Sequence, residues 1–161
     1  MFDYSTFNPE ELFALAKIDF QRENYENSLR KLKALMGRNQ IPIQTYSLLG
    51  RVYASIGIFE KAKECFEVFV KNVPDAIEEK FQLGMVERDM GNSDQAVNLW
   101  DELLTQVPNF PPALYHKALV SIDKDDTKSA VELLNSLLET APEGDELIHR
   151  ADQLLSRISL Q

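Results

Sequence analysis

Residues 46–74 and 80–108 of this chain carry one pattern twice, 34 residues apart. Leu49-Gly50 recurs as Leu83-Gly84, Gly57 as Gly91, Ala62 as Ala96, Phe66 as Trp100 and Pro74 as Pro108. A fixed period of this length signals stacked supersecondary units, each packed mainly on its neighbours. The same offset runs forward to Ala130 and Pro142 and backward to Ser28 and Leu32. Four units follow without insertion: 9–42, 43–76, 77–110 and 111–144. Residues 1–8 remain as a short N-terminal arm and 145–161 as a tail.

Each unit reads as a pair of helices. Apolar residues recur at spacings of three and four, the mark of an amphipathic helix. Tyr46, Leu49, Gly50 and Tyr53 line one side of a first helix, and Phe59, Ala62, Cys65, Phe66 and Phe69 one side of a second. Gly57, Gly91 and Asp125-Asp126 fall where a turn must join the helices of a pair; Pro42, Pro74, Pro108 and Pro142 fall between pairs. Asn8-Pro9-Glu10-Glu11 has the form of a capped helix start, with Pro in the first turn and Glu three residues after the cap. In the tail, Leu147, Ala151, Leu154, Leu155 and Ile158 share one helical face, which predicts a helix capping the last pair. No segment alternates with the period of a strand.

These residues resemble the tetratricopeptide repeat, whose 34-residue unit follows W-x2-L-G-x2-Y…A-x3-F…P. The second unit is nearest, with Tyr46, Leu49, Gly50, Tyr53, Ala62, Phe66 and Pro74. The third departs at Glu87, where Tyr is usual; the first and fourth carry Ala16 and Ala118 at the Gly position. Lys117 stands for Leu in the fourth, and Gln40 for Pro in the first. The resemblance implies an all-α fold, a right-handed α-solenoid of four helix-turn-helix repeats with a C-terminal capping helix. It also implies that the first helix of each pair lines a concave groove through its second, fifth, ninth and twelfth repeat positions. On this chain the stripe holds Phe13, Lys17 and Phe20, then Ser47, Arg51 and Ala54, then Phe81, Met85 and Arg88, then Tyr115, Leu119 and Ile122. Glu10, Gln44, Glu78 and Pro112 begin the four segments. The stripe is apolar for a solvent-facing surface, so it is either an interaction groove or a surface packed on the next repeat. The carboxylate clamp of chaperone-binding repeats is not reproduced: Phe13, Lys17, Arg51, Phe81 and Met85 occupy its positions.

Charge narrows the partner. The net charge is −9, and all of it arises after residue 76: residues 1–76 carry ten basic and ten acidic side chains. Nucleic-acid binding, which needs a basic footprint, is disfavoured. No apolar run approaches the ~20 residues of a membrane span, and the first residues lack the pattern of a secretory leader. A lone cysteine, Cys65, forms no internal disulfide and suits a reducing, cytoplasmic setting. His116 and His149 lie in different elements with no ligand spacing around them, and Cys65 sits on an apolar helix face. No nucleophile, phosphate-loop or dinucleotide motif appears. The expectation is therefore a non-enzymatic interaction module without cofactor or metal. It would grip a protein or peptide segment, apolar with acidic residues matching Lys17, Arg51 and Arg88. A homodimer is left open. The alternative, from size and acidity, is a chaperone like those of class II for type III secretion translocators. The arm, with Phe2, Tyr4 and Phe7, either packs on the first helix pair or occupies a groove.

Overall fold

The computed structural model describes residues 2–159, so the last two residues of the predicted tail lie outside it. Nine helices and no strand occur among the described residues: α1 (Pro9–Gln21), α2 (Tyr25–Met36), α3 (Gln44–Ser55), α4 (Phe59–Asn72), α5 (Ile77–Asp89), α6 (Ser93–Gln106), α7 (Pro111–Asp123), α8 (Thr127–Thr140) and α9 (Glu146–Ile158). The period is visible in the backbone. The second helices α2, α4, α6 and α8 begin at residues 25, 59, 93 and 127, each 34 after the last. Two residues before each of these starts the chain turns with positive φ: 58° at Glu23, 78° at Gly57, 87° at Gly91 and 60° at Asp125. The turn geometry is thus kept even where the sequence has no glycine. Two compact units divide the chain, Met1–Met90 and Gly91–Gln161, and the division falls inside the third predicted repeat.

In the first unit, α1 starts at the predicted cap. The Glu11 amide donates to the Asn8 side chain and the Asn8 amide to the Glu11 carboxylate, both at 2.9 Å. This reciprocal box satisfies two amide donors that a helix start leaves without partners. Leu12 and Ala16 of α1 are sealed against Ser28, Leu32 and Leu35 of α2. Ser28 Oγ donates to the Ala16 carbonyl at 2.8 Å, tying the two helices where they lie close. In the next pair, Gly50 of α3 faces the Phe66 ring of α4. A Cβ at Gly50 would stand 2.7 Å from Phe66 Cε1, closer than packed carbons tolerate. Here glycine is required for the close approach. α5 packs on α4, and the ammonium of Lys63 meets the carboxylate of Glu87 at 2.6 Å. Glu87, only 2% exposed at the position where tyrosine is usual, is buried with its charge partnered. The hydrogen bond to Glu87 holds the Lys63 pKa above its ordinary value.

The N-terminal arm is fastened to the first pair. Arg38, just after α2, donates to the carbonyls of Tyr4 at 2.8 Å and Phe7 at 3.3 Å. Lys31 is ion-paired with Asp19 and stands 5.8 Å from the centre of the Tyr4 ring. Tyr4 and Phe7 are half-buried, whereas Phe2 stays 68% exposed. The arm therefore packs on α1 and α2, one of the two arrangements expected for it.

In the second unit, Leu114 and Ala118 of α7, Leu134 and Leu137 of α8, and Leu147 and Ala151 of α9 form one core. Leu154, Leu155 and Ile158 pack against it, so the apolar face of α9 is spent on α7 and α8. Asp145 caps α9 by accepting from the Leu147 amide at 2.8 Å. Trp100 of α6 is fully buried, with its ring centre 6.0 Å from that of His116 on α7.

Candidate functional site

The predicted groove positions of the first unit lie on α1, α3 and α5. Six of them meet around one open cavity of about 430 Å³ between α1 and α3: Phe13, Lys17, Phe20, Gln44, Ser47 and Arg51. Gln21 and Leu48 complete its wall. The helical period explains the grouping, because side chains three and four apart stack on one face. Phe13 and Phe20 are half-buried, and the Phe20 ring lies 5.7 Å from that of Tyr25. Lys17 is exposed and makes no ion pair among the described residues.

Arg51 is held less tightly than its setting suggests. Its nearest carboxylate, Glu79 of α5, stands 3.9 Å from Nη2, beyond hydrogen-bond reach. Glu79 Oε1 instead accepts from Ser47 Oγ at 2.6 Å. The Nε–H of Arg51 is buried with no partner. Apolar walls thus stand beside two cations, one without an ion pair and one only loosely paired.

Other predicted positions lie elsewhere. Ala54, Met85 and Arg88 are half-buried and off this cavity. Phe81, expected to be partly exposed, is buried at 7%. Ser47 is buried too and faces Glu79 rather than solvent. The stripe rule selects a direction around a helix but not a depth, and an aromatic ring at the margin of the stripe is drawn under cover by its large apolar area. Tyr115, Leu119 and Ile122 belong to the second unit and are half-buried on α7. Tyr115 packs against the α7–α9 core and lies edge-on to His116, with ring centres 5.4 Å apart.

Two features escaped the sequence reading. Glu79 was legible only as an acid favouring a helix start; its contact with α3 depends on how α3 and α5 pack. A second cavity of about 400 Å³ opens between α2 and α4 on the other side of α3, lined by Lys33, Met36, Tyr46, Leu49, Tyr53, Lys61, Glu64, Cys65 and Val68. Burial pushes the Cys65 thiol up to about 11, so it is protonated at neutral pH and a poor nucleophile. No group of three metal-ligating side chains occurs among the described residues. No helix there is long and apolar enough to cross a membrane.

Paired helices on a 34-residue period define a helical-repeat protein of the class that binds other proteins. Sequence comparison agrees: the tetratricopeptide repeat family matches residues 44–76 and 80–109. The chain carries tetratricopeptide repeats at these residues. No curated protein matches it. Solved structures do. The crystal structure of MamA is 21% identical, with 84% of this chain and 79% of that chain covered at a TM-score of 0.76. YrrB, described as a TPR protein with an unusual peptide-binding site, is 18% identical over 88% of this chain and 73% of its own at 0.75. TTC0263, a thermophilic TPR protein in Thermus thermophilus, is 20% identical over 94% and 83% at 0.76. At these identities the likeness shows the fold: all-α and built of helical repeats.

Proposed function

We propose that this protein is a non-enzymatic adaptor that grips an apolar, carboxylate-bearing segment of a partner protein along α1 and α3. The observation that carries this reading is the α1–α3 cavity, where Phe13 and Phe20 lie beside Lys17 and Arg51. An apolar wall supplies contact area, and the cations select the partner and its register. Repeats at 9–42, 43–76, 77–110 and 111–144 provide the scaffold, with α9 as its terminal cap. A solved structure of the same fold, YrrB, is described as having a peptide-binding site, which makes peptide recognition a natural use of such a scaffold. The secretion-chaperone alternative rests on size and acidity alone, and the structure adds nothing in its favour.

Selection from a random peptide-display library tests the reading. The wild-type protein is expected to enrich peptides with Asp or Glu beside aromatic or aliphatic residues. The Lys17→Glu/Arg51→Glu variant should lose them while keeping its helical circular dichroism, since both side chains are on the accessible wall. Enrichment of the same acidic peptides by that variant, or of basic peptides by the wild type, would overturn the proposal.

A further inference from the structure

Arg51 combines three observations that rarely coincide. Its Nε–H is buried and unpartnered, its guanidinium borders the α1–α3 cavity, and a carboxylate stands beside it without closing a hydrogen bond. The gap is 3.9 Å, where a charge-assisted contact normally closes to about 2.7–2.9 Å. The same Glu79 oxygen accepts from the Ser47 hydroxyl at 2.6 Å. Ser47 lies one helical turn before Arg51 on α3, so the hydroxyl and the guanidinium face Glu79 from one side. Glu79 is largely covered, with 12% of its side chain exposed, against 41% for Arg51.

We propose that Ser47 holds Glu79 off Arg51, so that the guanidinium stays open to a carboxylate carried by the partner. This rests on the reading of the α1–α3 groove as the partner site and adds its selectivity device. A partner carboxylate beside an apolar side chain bridges Lys17 and Arg51 while the apolar group lies on Phe13 and Phe20. Glu79 is the internal competitor for Arg51, and Ser47, a positioning residue, restrains it. Without the serine hydroxyl, Glu79 is free to turn and pair with Arg51, which removes half of the charge offered to the partner. Glu79 also repels an arriving acid, so its neutralisation strengthens binding by removing a like charge.

The test is a set of fluorescence-anisotropy titrations with a labelled octapeptide alternating leucine and glutamate, and with its glutamine counterpart. The glutamate peptide should bind the wild type and the glutamine peptide at least tenfold more weakly. Ser47→Ala should weaken the glutamate peptide about three- to tenfold, the scale of one net hydrogen bond. Glu79→Gln should strengthen it, and Ser47→Ala/Glu79→Gln should match Glu79→Gln alone, because the serine has nothing left to restrain. None of these should change binding of the glutamine peptide. Loss of folding in Ser47→Ala would appear in circular dichroism, and Glu79→Gln then carries the test through its expected gain. A Ser47→Ala effect that persists in the Glu79→Gln background would overturn the inference while leaving the groove standing. So would a Glu79→Gln variant that gains nothing. Failure of the glutamate peptide to bind the wild type, or binding indifferent to Arg51→Gln, would overturn the groove reading itself. A concentration-dependent doubling of mass abolished by Arg51→Gln would assign the groove to a second copy of this chain and overturn both.

Discussion

The first and second helix pairs build one backbone from different side chains. In the α3–α4 pair the approach is set by Gly50 against Phe66. In the α1–α2 pair the same two positions, 34 residues earlier, hold Ala16 and Leu32, both fully buried. The α7–α8 pair repeats the second solution with Ala118 and Leu134, again fully buried. One methyl added on the first helix is matched by a smaller group on the second, so the interface conserves volume rather than residue identity. The α1–α2 pair then adds polar ties that the other lacks: Ser28 to the Ala16 carbonyl, where α4 has Ala62, and Arg38 to the arm. The lesson is that a weak match to the repeat motif is not a weak repeat; it is a different partition of the same space.

The largest effect that would break this comparison is overpacking at Gly50. Gly50→Leu drives a side chain into the fully buried Phe66 ring and should cost about 3 kcal/mol, the upper part of the usual overpacking range. Gly50→Ala alone should cost less, because helix propensity returns up to ~1 kcal/mol. Gly50→Ala/Phe66→Leu recreates the first pair's solution and should be more stable than the sum of its single changes predicts. Urea unfolding of the four variants measures the coupling. Strict additivity would show that the two positions do not share one space.

Next in size is the tie between α4 and α5. Lys63→Met removes the lysine ammonium from the covered carboxylate of Glu87, and a loss of about 1–3 kcal/mol is expected, below a fully buried pair because Lys63 is partly exposed. The sign with pH follows from the raised Lys63 pKa: the stabilisation is complete below the ordinary lysine value of about 10.4 and fades as pH rises through the folded value. Urea midpoints measured from neutral to alkaline pH should therefore show the wild-type advantage over Lys63→Met holding at first and then shrinking, with the two proteins converging at high pH. A constant difference across that range would remove the ion pair from the account.

Much of this was legible in the chain itself. The helix bounds follow the 34-residue register, the Asn8–Glu11 box sits where its residue types demand, and the tail's apolar face meets the core on α7 and α8. Such features are local or periodic, so composition and spacing carry them. What escaped was long-range and unperiodic. Arg38 reaches the Tyr4 and Phe7 carbonyls 34 and 31 residues away, and nothing near Arg38 signals it. The depth of Phe81 and the role of Glu79 depend on how neighbouring first helices pack. Of the α1–α3 cavity lining, Phe13, Lys17, Phe20, Ser47 and Arg51 follow from position along the helices, but the contacts of Glu79 with Ser47 and Arg51 do not.

The arm separates the pairs further. Arg38→Ala frees two carbonyls and should cost about 1 kcal/mol, the net worth of a hydrogen bond or slightly more. Hydrogen exchange should then rise in residues 3–8 and along α2, while α3 and α4 stay protected. Unchanged protection near Tyr4 would mean that the arm is held by its half-buried rings alone.

The smallest expected effect compares the two inner turns. Glu23 and Gly57 occupy equivalent places with φ of 58° and 78°, and only glycine adopts this region without steric cost. A Cβ at Gly57 would meet open space, so Gly57→Ala isolates backbone strain from packing and should cost about 1 kcal/mol. Glu23→Gly runs the exchange the other way. It relieves a strained side chain but adds freedom to the unfolded chain, and the two terms nearly cancel. A change between zero and about +0.5 kcal/mol is expected, read by the urea midpoint at constant slope. If Glu23→Gly instead lost more than ~1 kcal/mol, the Glu23 side chain would be contributing contacts that outweigh its strained backbone. The first pair would then differ from the second in its turn as well as in its interface.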